Sequence, residues 1–449
     1  MFFIGPQART SIALAAAGGA VIAALLLTPS TAPPRELSST SSDILSAKLV
    51  SSKILAGDRE QDIAVTITMP RGATDVRPPL SLAIVIDRSG SMEGEPLANA
   101  KLAAAQLVGQ LSSRDAFSVV TYSSVVETVV PLTRATDTAK RVAQSEIAKI
   151  WDDGNTCISC GIEQGAGELA RTPIEGGVRR MVLISDGQAN MGVYDRNELA
   201  QLAVETAARG VSISTVGVGL DFDEVTMTRL ADVGHGHYYF VEDTAKLGEM
   251  FAEELGGLTE TVGADARLVI SQQGAHVEEA YGYPIMRQGD QDVVPIADLR
   301  AGETRKVVLR STIGTSATGA LPVAAFELHW RRTTDGRQAT ARATLETTIV
   351  TDPAQVAASI DRAAVNAVEQ ARTARVLEEA TSTYETQGAE AAQRVIERNV
   401  ARVRANKNMD APAMQAIEAA SSGASSNFAT APATKAKKAT RADAYKLAH

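Results

Sequence analysis

The sequence predicts an α/β fold: a doubly wound, mostly parallel six-stranded sheet inserted into a β-sandwich, followed by a C-terminal helical segment. Three observations carry this. Between residues 80 and 258 strand-like and helix-like segments alternate, which implies βαβ units and helices on both faces of a sheet. From Val262 to Val350 the hydrophobic period drops to two, with turn signals at Gly274, Gly289, Gly302 and Asp335-Gly336, as in antiparallel sandwich strands. From Pro353 to Asn406 Ala, Glu and Arg dominate, and Ala364, Val368, Ala371 and Val376 recur at helical spacing.

The elements follow in order. Arg9 precedes an almost wholly apolar run, Ser11 to Leu27, which the Pro-rich stretch from Thr28 to Pro34 breaks. A charged start, an apolar stretch and small residues read as a signal peptide, or as an uncleaved membrane anchor through residues 11–27. Either reading makes residues 1–32 a targeting segment and the rest an exported, cell-envelope or secreted chain. No Cys follows the apolar run, which argues against a lipoprotein. Residues 33–45 are a Ser/Thr/Pro-rich linker. Residues 46–79 carry strand-like alternation, clearest from Ile63 to Met69, and are expected to supply N-terminal strands of the sandwich.

Within 80–258, strands are expected at Leu82 to Ile86, Ala116 to Tyr122, Val125 to Val130, Arg180 to Ile184, Val211 to Gly217 and Tyr238 to Val241. Helices are expected at Pro96 to Leu111, Thr136 to Ile150, Ile158 to Arg171, Arg196 to Arg209, Glu224 to Ala231 and Ala245 to Leu258. Only Ser123-Ser124 separates the second and third strands, too short for a crossover helix, so they form a hairpin. The whole is Rossmann-like. Residues 259–350 are expected to complete the sandwich begun before residue 70. Residues 351–420 read as helices broken near Gln387-Gly388, with Met414 to Ala420 adding a third. Residues 421–449, low-complexity and then basic, are expected to be a disordered tail.

A chain of 449 residues suits two or three domains, and its net charge of -9 argues against a nucleic-acid partner, which would call for a basic face. No P-loop, His-Glu-x-x-His or Gly-x-Ser-x-Gly is present, so no enzymatic activity is expected.

The chemistry concentrates at Asp87-Arg88-Ser89-Gly90-Ser91, directly after the apolar run Ala83 to Ile86. Loops at the carboxyl ends of buried parallel strands are where open α/β sheets bind ligands. One carboxylate and two neutral oxygens at alternate positions suit a hard divalent cation. This loop resembles the metal-ion-dependent adhesion site of von Willebrand factor type A domains, and the resemblance extends over 80–258. It implies two further ligands, matched here by Thr156 after Asp153-Gly154-Asn155 and by Asp186 in Ser185-Asp186-Gly187. The implied set is Asp87, Ser89, Ser91, Thr156 and Asp186. By the same resemblance the hydroxyls bind directly, one or both aspartates bind through water, and the open position takes an Asp or Glu of a partner protein. Mg²⁺ suits the compact hydroxyl-rich set, needing oxygens at ~2.0–2.1 Å. Mn²⁺ also fits, and Ca²⁺ fits with longer bonds. Integrin β subunits share the inserted-domain plan. Bacterial proteins of the calcium-activated chloride channel-like and YfbK-like type also resemble this layout. The resemblance implies adhesion or scaffolding. An accessory subunit of an envelope ATPase or channel-like assembly is the alternative.

Cys157 and Cys160 follow Thr156 directly. A structural disulfide is the leading reading for an exported chain. A thiol–disulfide redox pair at a helix start is the second, and a zinc site, lacking half its ligands, the third. His235-Gly236-His237 puts two imidazoles on one face if extended, but the apolar run that follows makes it the start of the last strand.

Overall fold

The computed structural model of the chain describes residues 43–71, 78–171, 174, 177–219, 222–241, 243 and 246–448. The apolar run 11–27 lies outside them. No helix among the described residues is long and apolar enough to cross a membrane. In chain order the first strands are β1 (Leu45–Leu49), β2 (Lys53–Leu55) and β3 (Glu60–Thr68). The α/β region holds β4 (Leu80–Asp87), a 3-10 turn (Gly90–Met92), α1 (Glu95–Gln110), β5 (Ala116–Tyr122), β6 (Val126–Arg134), α2 (Asp137–Ala148) and α3 (Ile158–Arg171). It continues with β7 (Val178–Ser185), α4 (Arg196–Ala208), β8 (Ser212–Val218), α5 (Glu224–Val233), β9 (His235–Val241) and α6 (Leu247–Thr259). Then come β10 (Thr261–Gln272), β11 (Ala275–Ala280), β12 (Met286–Gln288), β13 (Gln291–Arg300), β14 (Thr304–Ile313), β15 (Gly319–Arg332) and β16 (Gln338–Val350). Helices α7 (Pro353–Ala357), α8 (Arg362–Gln387), α9 (Ala389–Ala405), α10 (Ala411–Thr430) and α11 (Ala433–Ala448) close the chain.

The α/β sheet has the order β6-β5-β4-β7-β8-β9, parallel except for the β5–β6 hairpin. Every residue of β4 is buried, because helices cover both faces. Ile84 and Ile86 pack with Ala104 and Leu107 of α1, and Ala83 and Val85 pack on the other face with Ile158 and Ile162 of α3. Chain progress reverses at β4, which lies between β5 and β7, so its carboxyl end is a topological switch point. Helix α3 lies unusually close to the sheet. A Cβ on Gly161 would stand 2.6 Å from the Tyr122 ring, and one on Gly165 2.8 Å from Val85 Cγ2. These two glycines, one turn apart, let the helix settle where a side chain would hold it off.

The other two sheets have the orders β1-β3-β14-β11 and β12-β13-β10-β15-β16-β2. Both draw strands from either side of the α/β region. β3 pairs antiparallel with β14 from Thr68↔Thr304 to Glu60↔Thr312, and β2 pairs parallel with β16. The period of two is visible in β16, where Ala341, Leu345 and Ile349 are buried between exposed Thr340, Arg342, Thr344, Glu346 and Thr348. Ile63, Val65 and Ile67 of β3 meet Leu268, Phe326 and Leu328 in one apolar core.

The expectation of a disordered tail over 421–449 is corrected. Residues 421–430 continue α10, and α11 spans most of the rest. Composition misleads here because the segment carries a buried stripe: Ile417, Ser421, Ala424 and Phe428 are buried at helical spacing, with Phe428 stacked on Tyr384 of α8 at 4.7 Å between ring centroids. Ala is also the best helix former. Helix α11 returns to the α/β domain. Its Lys438, almost fully buried, lies over the Phe222 ring and donates to Phe222 O and, at 3.2 Å, to Glu224 Oε2, while Arg441 also pairs with Glu224. Helix α8 starts only at Arg362, where Asp361 accepts the Ala364 amide at 2.9 Å and caps it.

Candidate functional site

Three loops meet at the carboxyl end of β4. The first turns immediately after Asp87, whose Oδ1 accepts the Ser89 amide at 2.9 Å. The Arg88 amide bonds Tyr122 O of β5 at 2.9 Å, and the Gly90 amide bonds Gly154 O at 3.1 Å. These two bonds tie the first loop to the neighbouring strand and to the second loop. The second loop carries Thr156 into α3. Its amide is held by Asn190 Oδ1 at 2.8 Å and its carbonyl by the Asn190 amide at 3.1 Å. The third loop, after β7, carries Asp186 and Gly187.

All five side chains expected to form the set stand at this end of the sheet. Ser89 Oγ and Ser91 Oγ are 3.2 Å apart, and Ser91 Oγ donates to Asp186 Oδ1 at 2.7 Å. A Cβ on Gly187 would lie 3.2 Å from Ser91 Oγ and 3.3 Å from Thr156 Oγ1. A side chain there would crowd both hydroxyls, and glycine avoids it. Asp87 is fully buried, Ser89, Thr156 and Asp186 nearly so, and Ser91 is exposed, so the group opens to solvent on one side.

Burial pushes the Asp87 carboxyl above its ordinary value. Hydrogen bonds from Ser185 Oγ, at 2.7 Å to Oδ2, and from Ser89 oppose the rise. Burial also pushes the Tyr122 phenol well up, with the Asp87 charge adding to it, so Tyr122 stays a neutral donor, here to Ile184 O at 3.1 Å.

The donor set fits a hard cation. Oxygens on adjacent corners of an octahedron with bonds of ~2.1 Å are about 3 Å apart, close to the Ser89–Ser91 separation of 3.2 Å. Because Ser91 gives its proton to Asp186, Ser89 is the donor in the bond between the two serines, and one Ser91 lone pair remains for a metal. Both Asp87 oxygens already accept protein hydrogen bonds, which suits a carboxylate acting through water. Among the described residues no group of three or more His, Cys, Asp or Glu could hold a metal, so any cation here depends on hydroxyls.

Cys157 and Cys160 are joined in a disulfide on the first turn of α3, with Cys157 buried and Cys160 half-buried. His235 and His237 both lie in β9, away from the set; His237 Nε2 accepts from Arg300 at 3.2 Å. Sequence reasoning passed over the residues that hold the candidate ligands. Ser185 adjoins Asp186 and was within reach of the pattern. Ser124, whose Oγ accepts the Asn155 amide at 2.8 Å, and Asn190 sit in loops with no spacing to mark them.

Residues 81–253 match the von Willebrand factor type A domain. The uncharacterized protein YfbK of Escherichia coli K12 is 28% identical over 246 residues, which cover 53% of this chain and 42% of that protein. The uncharacterized protein sll0103 of Synechocystis is 25% identical over 261 residues, covering 56% of this chain and 61% of that one. Human inter-alpha-trypsin inhibitor heavy chain H2 is 26% identical over 186 residues, covering 39% of this chain and 20% of that protein. The matched region thus spans less than two thirds of each relative. Two solved structures share the fold over 89% of the chain. A von Willebrand factor type A protein from Catenulispora acidiphila has a TM-score of 0.71 at 16% identity, over 96% of its length. The ArnB paralog VWA2 from Sulfolobus acidocaldarius has a TM-score of 0.60 at 17% identity, over 97% of its length.

Proposed function

Because this chain carries a von Willebrand factor type A domain, a type that commonly mediates protein–protein interaction and adhesion, we propose that it is an exported, metal-dependent protein-binding module. A divalent cation held by Asp87, Ser89, Ser91, Thr156 and Asp186 accepts an Asp or Glu side chain of a partner protein. The observation that carries this reading is the convergence of hydroxyls and carboxylates on one side-open group, with Ser91 Oγ 2.7 Å from Asp186 and 3.2 Å from Ser89 Oγ. Two aspartates bring a divalent ion near neutrality. Hydroxyls donate less electron density than carboxylates, so the ion stays electrophilic toward an outside oxygen. Mg²⁺ or Mn²⁺ suits the set best, and Ca²⁺ fits with longer bonds.

We read no enzymatic role. The histidines among the described residues lie in β9, β11 and β15, away from the group, and the burial of Cys157 disfavours thiol exchange. The disulfide supports an oxidising compartment, in keeping with export.

Ser89→Ala combined with Ser91→Ala tests the reading. Both hydroxyls lie in a loop and contribute little packing. Calorimetry should show Mg²⁺ and Mn²⁺ binding by the wild-type chain and its loss in the double variant, with an unchanged circular dichroism spectrum. Equal metal affinity in the two proteins would reject the assignment.

A further inference from the structure

Large apolar side chains exposed one at a time are normal on a protein surface. Those of this chain are not evenly spread. Among the described residues Leu102, Val142 and Val225 lie on helices α1, α2 and α5, whereas Val125, Trp151, Met191 and Tyr194 all lie in loops at the end of the sheet that carries the five-residue group. Each of these loops is tied to a member of that group or its neighbour. Val125 follows Ser124, which holds the Asn155 amide. Trp151 precedes Asp153, whose amide bonds Arg88 O at 2.7 Å. Met191 follows Asn190, the residue that holds Thr156 on both sides, and Tyr194 follows Val193, whose amide bonds Ser159 Oγ at 3.0 Å.

Trp151 is 64% exposed, yet it is held in place. The Arg88 guanidinium, itself buried, lies beneath the indole with Cζ 5.7 Å from the ring centroid. Arg88 Nε and Nη1 have no hydrogen-bond partner among the described residues. A cation under an aromatic ring is favourable, more so when desolvated. A ring fixed before binding loses little freedom on binding, and Trp and Tyr are the residues that most often anchor interfaces.

Resting on the cation reading above, we propose that Trp151, with Val125, Met191 and Tyr194, forms an apolar collar around the cation site. Its occupant is a protein loop in which the acid is bordered by large apolar side chains. The cation takes the carboxylate and the collar takes its neighbours, so an isolated acid or a polyacidic segment is a poor partner.

The test uses the full chain in saturating Mg²⁺ and two blocked pentapeptides with glutamate at the centre. One has phenylalanine and leucine beside the glutamate, the other has glycines. The sequence has two tryptophans, and Trp330 is buried in the sandwich, so a change in emission on binding reports Trp151. The apolar-flanked peptide should bind about tenfold more tightly, as expected for one well-placed anchor, with a blue shift in emission. By calorimetry Trp151→Ala should remove this preference and keep the weaker, EDTA-sensitive binding common to both peptides. Equal Mg²⁺-dependent affinity for the two peptides would overturn the collar and leave the cation reading standing. Absence of binding, or binding that survives EDTA, would overturn both. A Trp151-dependent dimer in light scattering would also overturn the collar, since a second copy of the chain would then be the occupant.

Discussion

Asp298, in the sandwich where it meets the α/β domain, and Asp87, at the end of the α/β sheet, are both buried carboxylates, and they are treated in opposite ways. Asp298 sits on β13 at the seam between sandwich and α/β domain. It meets Arg180 of β7, equally buried, at 2.7 Å. Asp87 sits at the carboxyl end of β4, and the groups that donate to it, the Ser89 amide and the Ser185 hydroxyl, are neutral. Burial raises the pKa of both; at Asp298 the Arg180 charge opposes the rise, while at Asp87 only hydrogen bonds do. The seam therefore supplies its own counter-charge. At Asp87 no cation is among the main influences on the carboxyl, and a buried anion without a paired cation is costly. The contrast separates a buried carboxylate paired within the chain from one held by neutral donors alone, as the proposed cation site requires.

The largest effect should come from breaking the seam. Asp298→Ala strands the Arg180 guanidinium in the interior and should cost about 3–5 kcal/mol of unfolding free energy. Replacing both partners, Arg180→Met with Asp298→Leu, should restore most of it, because two apolar groups of similar size avoid the desolvation cost altogether. Urea unfolding of the three proteins measures this. A single variant as stable as wild type would mean that the pair does not fasten the domain to the sandwich.

The second effect sharpens the other side of the comparison. Asp87→Ala removes a costly buried anion but strands the Ser89 amide and the Ser185 hydroxyl, so without metal its stability should fall by about 1–3 kcal/mol at most. With Mg²⁺ at 100 times its dissociation constant, wild type should gain about 2.7 kcal/mol, and the variant nothing. Thermal melts with Mg²⁺ and with EDTA separate the two terms. The pH dependence has a definite sign. A carboxyl whose folded pKa is raised contributes stability that is fully present below its ordinary value of 3.8 and is lost as pH rises through the raised value. Mg²⁺ binds the ionised form, so its affinity should rise over that same window and then level off. Asp87→Asn should flatten both curves. Glu224 should behave in reverse. Burial pushes it up, but its own backbone amide together with Lys438 and Arg441 outweighs this and holds it below the ordinary value of 4.5. Its contribution is present above 4.5 and lost as pH falls through the lowered value, loosening α11.

The comparison also explains what was legible in the sequence. The αβ alternation, the hairpin at Ser123-Ser124 and the change to period two were plain, because each depends on local patterning that burial enforces. The candidate ligands were legible because the loop Asp87-Arg88-Ser89-Gly90-Ser91 follows an apolar run, and the resemblance it carries implied Thr156 and Asp186. What was not legible depends on contacts distant in sequence. Arg180 read as an ordinary strand residue, since its partner lies 118 positions on. Lys438 read as part of a solvated basic tail, although its ammonium is buried against Glu224, 214 positions earlier. Trp151 carried no pattern, and only the guanidinium beneath it marks it out.

The smallest effect concerns the disulfide, which lies at the loop end beside the candidate ligand Thr156 and closes no large loop. Cys157 and Cys160 are three positions apart, so the entropic gain from the bond is small, at most about 2 kcal/mol. Reduction, or Cys157→Ser with Cys160→Ser, should barely move the main unfolding transition, whose apolar cores lie elsewhere. Thr156 is next to Cys157, and opening the bond loosens the first turn of α3 on one side of that ligand. On the other side Asn190 still holds the Thr156 amide and carbonyl. The weakening of Mg²⁺ affinity should therefore be a few-fold, and Asn190→Ala should enlarge it, because two restraints on one residue are coupled and their losses do not simply add. Calorimetry on the four proteins of that cycle gives the coupling. If Mg²⁺ affinity is the same in all four, Thr156 is positioned by neither restraint. If only the Asn190 change matters, the disulfide is a staple for the helix start and has no part in holding the ligand.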